Sequence, residues 1–331
     1  MRSIISKKGY RGMLAVAVAG VAIVASQAAV AKEAYPGKAI TMVIPFPPGG
    51  PTDVTGRVLA QHLSEKVGQA VVVDNRPGAS GNIAARHVAR SAPDGYTIFF
   101  TTGGTHGVNP ALYSDLGYDP VKDFEPVAWV TSSPNIIVVN KDFEAQTLQE
   151  FIDLAKKSPG QLSSGAPGVG STPHMSGELF KQMAGINVVH IPYKGSGPAL
   201  TDLMGGHIKV MFDGIPSSLP LIESGQIRAL AVTSKNRAAA APDIPTVAET
   251  LPGFEAAGWF AVYAPAGTPA EIVNELNRQI NEVLEIPEVK ERYSQLGAET
   301  VGGPPEKLRD QVSSELKKWS ALVKEIGMKV E

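Results

Sequence analysis

One unit recurs along most of this sequence: a short β-branched run, a glycine-rich turn, then a helical pattern. Residues 40–46 form the first such run, followed by Pro47-Pro48-Gly49-Gly50-Pro51. Thr52 is predicted to cap a helix to about Val67, with Val54, Val58, Leu59, Leu63 and Val67 on one face and Gly68 as its stop. Strands are predicted over 70–74, 97–102, 127–131, 135–140, 162–164, 188–191, 210–212 and 228–233, and helices over 82–89 and 147–157. Thr172 is predicted to cap a further helix with Pro173 at its first position, and the chain beyond about Thr268 reads as mostly helical. Strands that alternate with helices pair mainly through helical crossovers, which predicts an α/β fold with mixed, mostly parallel sheets and helices on both faces. Two sets of strands predict two lobes with a cleft between them. The first takes residues 32–130 and 265–331, and the second takes residues 131–264.

The first 31 residues stand apart. Arg2, Lys7, Lys8 and Arg11 precede an apolar run over 13–25, and Ala29-Val30-Ala31 supplies a small-x-small site. This reads as a secretory signal cleaved after Ala31, against the competing reading of a membrane anchor, which the Ser26-Gln27 break opposes. Removing its four basic residues leaves 26 Lys and Arg against 32 Asp and Glu, a net charge near −6. That balance argues against nucleic acid as a partner. The chain of 331 residues has no cysteine, which excludes disulfides, thiolate metal sites, catalytic thiols and a lipid-modified N-terminal cysteine.

Ligands of open α/β sheets bind in the crevice at the carboxyl ends of the strands. Several of those ends here carry glycine-rich loops that open helices, and a helix start offers unpaired N–H groups and a partial positive charge to an anion. The first loop (Phe46, Pro48, Gly49, Gly50, Thr52, Asp53) and the second (Gly168, Gly170, Ser171, Thr172) read as opposed anion cradles, with Tyr193 to Pro198 as a third. Each loop alone is also consistent with an ordinary tight turn before a capped helix. Thr102 and His106 flank a glycine-rich turn; His106 is expected to line the cleft or to pack, and His174 to support the anion loop. Asp213 is expected either to face the crevice or to cap the turn after it. Phe46 and Trp259 are read as pocket walls or as core, and Phe260 as core.

Enzyme signatures are poor. The phosphate-loop and Gly-x-Ser-x-Gly patterns are absent, and 165–170 resembles a dinucleotide loop only superficially because Pro167 sits where close backbone approach is needed. His174 and Glu178 share a helical face, but no third ligand is indicated, so no metal and no cofactor are expected.

Assembled, these segments resemble the solute-binding proteins of tripartite tricarboxylate transporters, the Bug family. The resemblance rests on PFPPGGPTD (45–53), VVVDNRPGASGNIAARHVARSAPDGYTI (71–98), GTHGVNPALY (104–113), YDPVKDFEPVA (118–128), HIPYKGSGPALTDLMGGHI (190–208), RALAVTSKNR (228–237), PDIPTVAE (242–249) and WFAVYAPAGTP (259–269). It implies a two-lobed periplasmic-binding-protein fold of type II that closes on its ligand without catalysis. It further implies a monomer, soluble in the periplasm, that delivers a dicarboxylate, amino acid or aromatic carboxylate to membrane permease subunits. The carboxylate would be held by loops 47–53 and 165–174. Ala166 stands where the family often has serine, which removes a hydroxyl. Two other functions fit the residues: a secreted α/β enzyme using His106 or His174 as base on a small carboxylate, and a ligand-sensing partner of a signalling receptor.

Overall fold

The six-stranded sheet of this protein has the order β11-β4-β10-β3-β1-β2, with strands numbered along the chain. They are β1 (Ile40–Ile44), β2 (Val71–Asn75), β3 (Thr97–Thr102), β4 (Phe124–Ser133), β10 (Gly258–Pro265) and β11 (Glu299–Thr300). A five-stranded sheet follows the order β7-β6-β8-β5-β9, from β5 (Asn135–Asn140), β6 (Ser163–Ala166), β7 (Val189–Pro192), β8 (Val210–Gly214) and β9 (Ile227–Val232). The computed structural model describes residues 35–167, 170–193 and 195–328, so the expected signal segment, Gly168 and Lys194 lie outside the described residues. Residues 38–331 form one compact unit.

The helices are α1 (Pro51–Val67), α2 (Asn82–Ala89), α3 (Asn109–Leu112), α4 (Leu148–Lys157), α5 (Thr172–Ala184), α6 (Ser196–Met204), α7 (Ile215–Glu223), α8 (Ala270–Leu284), α9 (Pro287–Gln295) and α10 (Pro305–Ile326). Gly68 ends α1 in the left-handed conformation, as its position predicts. The buried face of α1 differs from the one expected. Thr52, Thr55, Gly56, Leu59, Ala60 and Leu63 are buried, while Val54, Val58 and Val67 are half-buried. Gly56 is the reason: a Cβ there would lie 2.6 Å from Ile44 Cδ1, so its absence lets the helix settle on the sheet along that stripe.

Both sheets are mixed, as expected. In the first, β10 runs antiparallel to both β3 and β4, and β11 antiparallel to β4; in the second, β5 runs antiparallel to both β8 and β9. The remaining strands of each sheet share one direction. Single-residue Pro134 joins the end of β4 to the start of β5. Because β5 opposes its neighbours, the carboxyl ends of both parallel sets meet at this crossing. The chain returns at Gly258, which pairs with Ser133 on the same edge of the crossing. Residues 258–264, expected in the second lobe, therefore lie in the first sheet.

Apolar clusters pack against both sheets. Phe99, Phe124, Trp259, Tyr263, Leu308 and Val312 pack on the first sheet, and Ile136, Val138, Leu200, Met211 and Ile215 on one face of the second. The other face of the second sheet gathers Ile137, Phe151, Phe180, Phe212 and Phe254 together with Trp319, Leu322 and Val323 of α10. Helix α10 thus packs on both sheets, although its whole length was expected to belong to the first lobe. No helix among the described residues is long and apolar enough to cross a membrane.

Candidate functional site

The loop after β1 is held from within. Gly50 is the N-cap of α1 and Pro51 takes the first helical position, so Thr52, expected as the cap, is instead a buried residue of the first turn. The Asp53 carboxylate accepts from Gly49 N–H at 2.8 Å, from Arg57 Nε at 3.0 Å and from Asn75 Nδ2 at 2.9 Å. Asn75 Nδ2 also donates to the Phe46 carbonyl at 2.9 Å. Burial raises the Asp53 carboxyl, but the bonds from Arg57, Gly49 and Asn75 outweigh it and hold the group below its ordinary value. Asp53 therefore fixes the loop rather than facing a ligand. Pro47, Pro48 and Gly49 are exposed, Phe46 is half-buried, and Gly49 has a positive φ of 84°.

At the end of β3, Thr102 Oγ1 accepts from Thr105 N–H at 3.2 Å and closes a π-type turn over Gly104–Val108. His106 does not line the crevice. It is fully buried, stacked on Tyr263 with centroids 4.2 Å apart and edge-on to Phe124 at 4.8 Å. Burial pushes its imidazole down to about 3, so it is neutral at ordinary pH and is not a catalytic base. Trp259 is likewise core, 2% exposed, with its indole against Gly103, where a Cβ would lie 2.6 Å from Nε1. Phe260 stacks on Phe100 at 5.6 Å as expected of core.

In the neighbouring turn the sequence suggested no role for Ala79 or Ser80. Ala79 and Ser80 are consecutive non-glycine residues with φ of 48° and 53°. The Ser80 carbonyl accepts from Thr105 Oγ1 at 3.3 Å and Asn109 Nδ2 at 2.9 Å, and its hydroxyl accepts from Tyr113 at 2.9 Å. Such strain persists only where surroundings over-determine it, and here it lies beside the β3 loop. The flanking Gly78 and Gly81, both with positive φ, were the available signal.

On the second sheet Ser171, not Thr172, caps α5: its Oγ accepts from His174 N–H at 3.3 Å. Thr172 is the first helical residue, and its Cγ2 lies 3.6 Å from where a Cβ at Gly258 would be, which places the start of α5 at the crossing. His174 Nδ1 accepts from Gly170 N–H at 3.0 Å, and its Nε2 lies 3.4 Å from Glu178 Oε1. The acceptor role at Nδ1 sets the proton on Nε2, facing Glu178. His174 thus supports the loop, one of the roles expected of it. Burial raises the Glu178 carboxyl, but His174 and Lys181 more than reverse this and hold it low. His190 stacks on His174 at 4.0 Å, and burial, then His174, pushes it down to about 4.

Those three side chains place one ligand atom each within 4.8 Å of the others, a grouping that sequence spacing alone did not indicate. It suits a metal poorly. Ligation through His174 Nε2 would move the ring proton to Nδ1 and cost the Gly170 bond, and the Lys181 ammonium already lies 2.7 Å from Glu178 Oε1.

Tyr193 donates its hydroxyl to Asp202 at 2.8 Å; burial and that carboxylate push it up to about 12. Asp213 is fully buried and accepts from three hydroxyls, Ser196 and Ser217 at 2.5 Å and Ser218 at 2.8 Å. It therefore ties the start of α6 to the start of α7 instead of facing the crevice. Ala166 is buried at the end of β6. The structure thus brings Phe46, Pro48, Gly49, Gly50 and Thr102 to the carboxyl ends of the first sheet and Ser171, Thr172 and Tyr193 to those of the second. Thr52, Asp53, His106, His174 and Asp213 lie beneath them as supports, and Gly168 falls outside the described residues.

Residues 55–328 match the profile of the tripartite tricarboxylate transporter family receptor, TctC. The chain belongs to this family. BugT of Bordetella pertussis is 39% identical over 318 residues, covering 96% of each chain. Among solved structures, R. palustris Rpa4515 with adipate is 42% identical, covering 89% of this chain and 99% of that one, with a TM-score of 0.76. MatC of Rhodopseudomonas palustris with bound malate is 34% identical, covering 87% and 100%, with a TM-score of 0.72. The two mixed sheets with helices on both faces are the two-lobed α/β architecture of these periplasmic binding proteins. The TctC family and its structural neighbours are solute-binding receptors rather than enzymes, in keeping with the neutral, core-packed His106.

Proposed function

We propose that this TctC-family receptor captures a small dicarboxylate between its two lobes and hands it to the permease subunits of a tripartite tricarboxylate transporter. One observation carries the reading. Helices α1, α5, α6 and α7 all begin at strand carboxyl ends, drawn from both sheets, around a single crossing at Pro134. Their N-terminal N–H groups and partial charges suit carboxylates at both ends of a ligand without any cationic side chain. The relatives described with adipate and with malate support the same chemistry. The first lobe comprises residues 35–133 and 258–304, the second begins at Asn135 and ends between Val232 and Gly258, and α10 packs on both. Closure would turn on Pro134 and the return segment, driven by the ligand's preference for the closed state. The mature protein is a periplasmic monomer released by cleavage after Ala31.

Calorimetry with adipate, malate and other small diacids, with mass spectrometry of the recovered ligand, tests this. Stoichiometric binding of at least one diacid, recovered intact, is expected. Turnover of the ligand, or no binding across the panel, would refute it.

A further inference from the structure

We propose that a cationic groove along α2 docks an acidic, extended segment of the permease; the proposal rests on the transporter reading above. Ile83, Arg86, His87, Arg90 and Ser91 line an open groove of about 460 Å³. Their spacing makes one stripe of the helix, while Ala84, Ala85 and Val88 form the stripe that packs on the first sheet.

The charge of this stripe runs against that of the whole. Beyond residue 31 the chain has 26 Lys and Arg against 32 Asp and Glu, yet the groove is lined by two arginines and no carboxylate. Arg90 is exposed, and its guanidinium has no hydrogen bond or ion pair among the described residues. Arg86 donates through Nε to the Leu116 carbonyl at 2.9 Å, which leaves its charge without a counter-ion. Asp74, the acid whose charge acts on His87, is paired with Arg76 at 2.7 Å.

Apolar surface lies beside these charges. Ile83 is 48% exposed, and Val72 on β2 is 54% exposed. Strand β2 is the edge of its sheet, so one row of its backbone N–H and C=O groups lacks a partner strand. Free guanidinium groups, exposed apolar side chains and an open strand edge together suit an extended peptide with carboxylates, which joins charge pairing to main-chain bonds. A flat membrane surface would use the charges and leave the groove and the edge unfilled.

The groove also reaches toward the crevice. Ile83 lies against Gly78, where a Cβ would come within 2.6 Å of Ile83 Cδ1. Ala79 and Ser80 follow with their positive φ, and the Ser80 carbonyl accepts from Thr105 Oγ1 and Asn109 Nδ2. Thr105 N–H in turn bonds Thr102 Oγ1 in the β3 loop. A partner seated on Ile83 and Gly78 therefore presses on a strained turn that is tied to a loop of the crevice.

Capture of the purified receptor, with adipate present, on proteoliposomes holding the permease subunits tests the proposal. Lipid-only liposomes of phosphatidylethanolamine and phosphatidylglycerol run alongside. Arg90→Glu is expected to weaken capture about tenfold or more and to flatten its salt dependence, because an attractive pair becomes a like-charge contact. Ile83→Ser should weaken capture as well. Lys157→Glu, the same charge change on α4 in the other lobe, should leave capture within about twofold. Melting temperature and diacid affinity should stay at the parent's level in all three, since none of these side chains lies at the crevice. Parent-like capture of Arg90→Glu or of Ile83→Ser, or an equal loss in Lys157→Glu, would overturn the proposal and leave the transporter reading intact. Equal capture by lipid-only liposomes would overturn it in favour of a membrane surface. Failure of the permease to capture the parent receptor would overturn both.

Discussion

Asp213 offers the sharpest test of how the second sheet builds its loops. The carboxylate is fully buried and takes three hydroxyls at 2.5, 2.5 and 2.8 Å from the first turns of α6 and α7. Hydrogen bonds to a charged group are worth about 1.5–3 kcal/mol each, but bonds sharing one acceptor do not add fully. Asp213→Asn keeps the volume, loses the charge and turns one acceptor into a donor, which a serine hydroxyl can partly accommodate by rotating. The expected loss is about 2–4 kcal/mol. Asp213→Ala leaves three hydroxyls without their acceptor, one of them on fully buried Ser218, and should cost more. Ser196→Ala, which removes one bond and keeps the acceptor, should cost about 1 kcal/mol. For a chain of this size each kcal/mol moves the melting temperature by roughly 1.5–2 °C, so Asp213→Asn should melt about 3–8 °C lower in scanning calorimetry. Diacid affinity should fall in the same order, because Asp213 holds two helix starts together. A melting point within about 1 °C of the parent, with unchanged affinity, would refute the assignment of Asp213 as the tie between α6 and α7.

Three further outcomes are expected. The folded pKa of His106, about 3, lies below its unfolded value of 6.5, so stability is complete above that value and declines as pH falls toward 3. His106→Phe should reduce the drop in urea stability between pH 7 and pH 5 by about 2 kcal/mol; an unchanged drop would show that the ring is not buried neutral. Ser171→Ala should lower stability by about 1 kcal/mol through loss of the α5 cap, and more than Thr172→Ala, with equal effects in urea melts contradicting the assigned cap. Gly103→Ala, which brings a Cβ to 2.6 Å from Trp259 Nε1, should cost about 1–3 kcal/mol in the same assay, whereas a neutral result would mean the indole moves freely.

Local pattern carried much of this fold. Helix Asn82–Ala89 and strands Thr97–Thr102 and Asn135–Asn140 lie where turn residues and β-branched runs place them. Strand Gly258–Pro265 was not legible: a strand with both faces covered shows no alternation, and its neighbours β3 and β4 are more than a hundred residues away. The two cap positions slipped by one or two residues. For α1 the signal was present, since Pro51 at the first helical position implies the cap at Gly50. The role of His106 was not settled by its loop alone. Phe99, Tyr118 and Phe124 lie near it in sequence, but Tyr263, the ring it stacks on, arrives from β10, and only the assembled sheet decides that it is core.

The position of α10 bears on the order in which this molecule can be made. Leu308 and Val312 complete the apolar layer of one sheet, while Trp319, Leu322 and Val323 complete that of the other. All of them lie within the last 24 residues of a 331-residue chain. A nascent chain stopped before Pro305 would possess every strand of the described residues yet leave both layers open to water. Both apolar layers therefore close only once α10 has been made, and neither half completes its core without it.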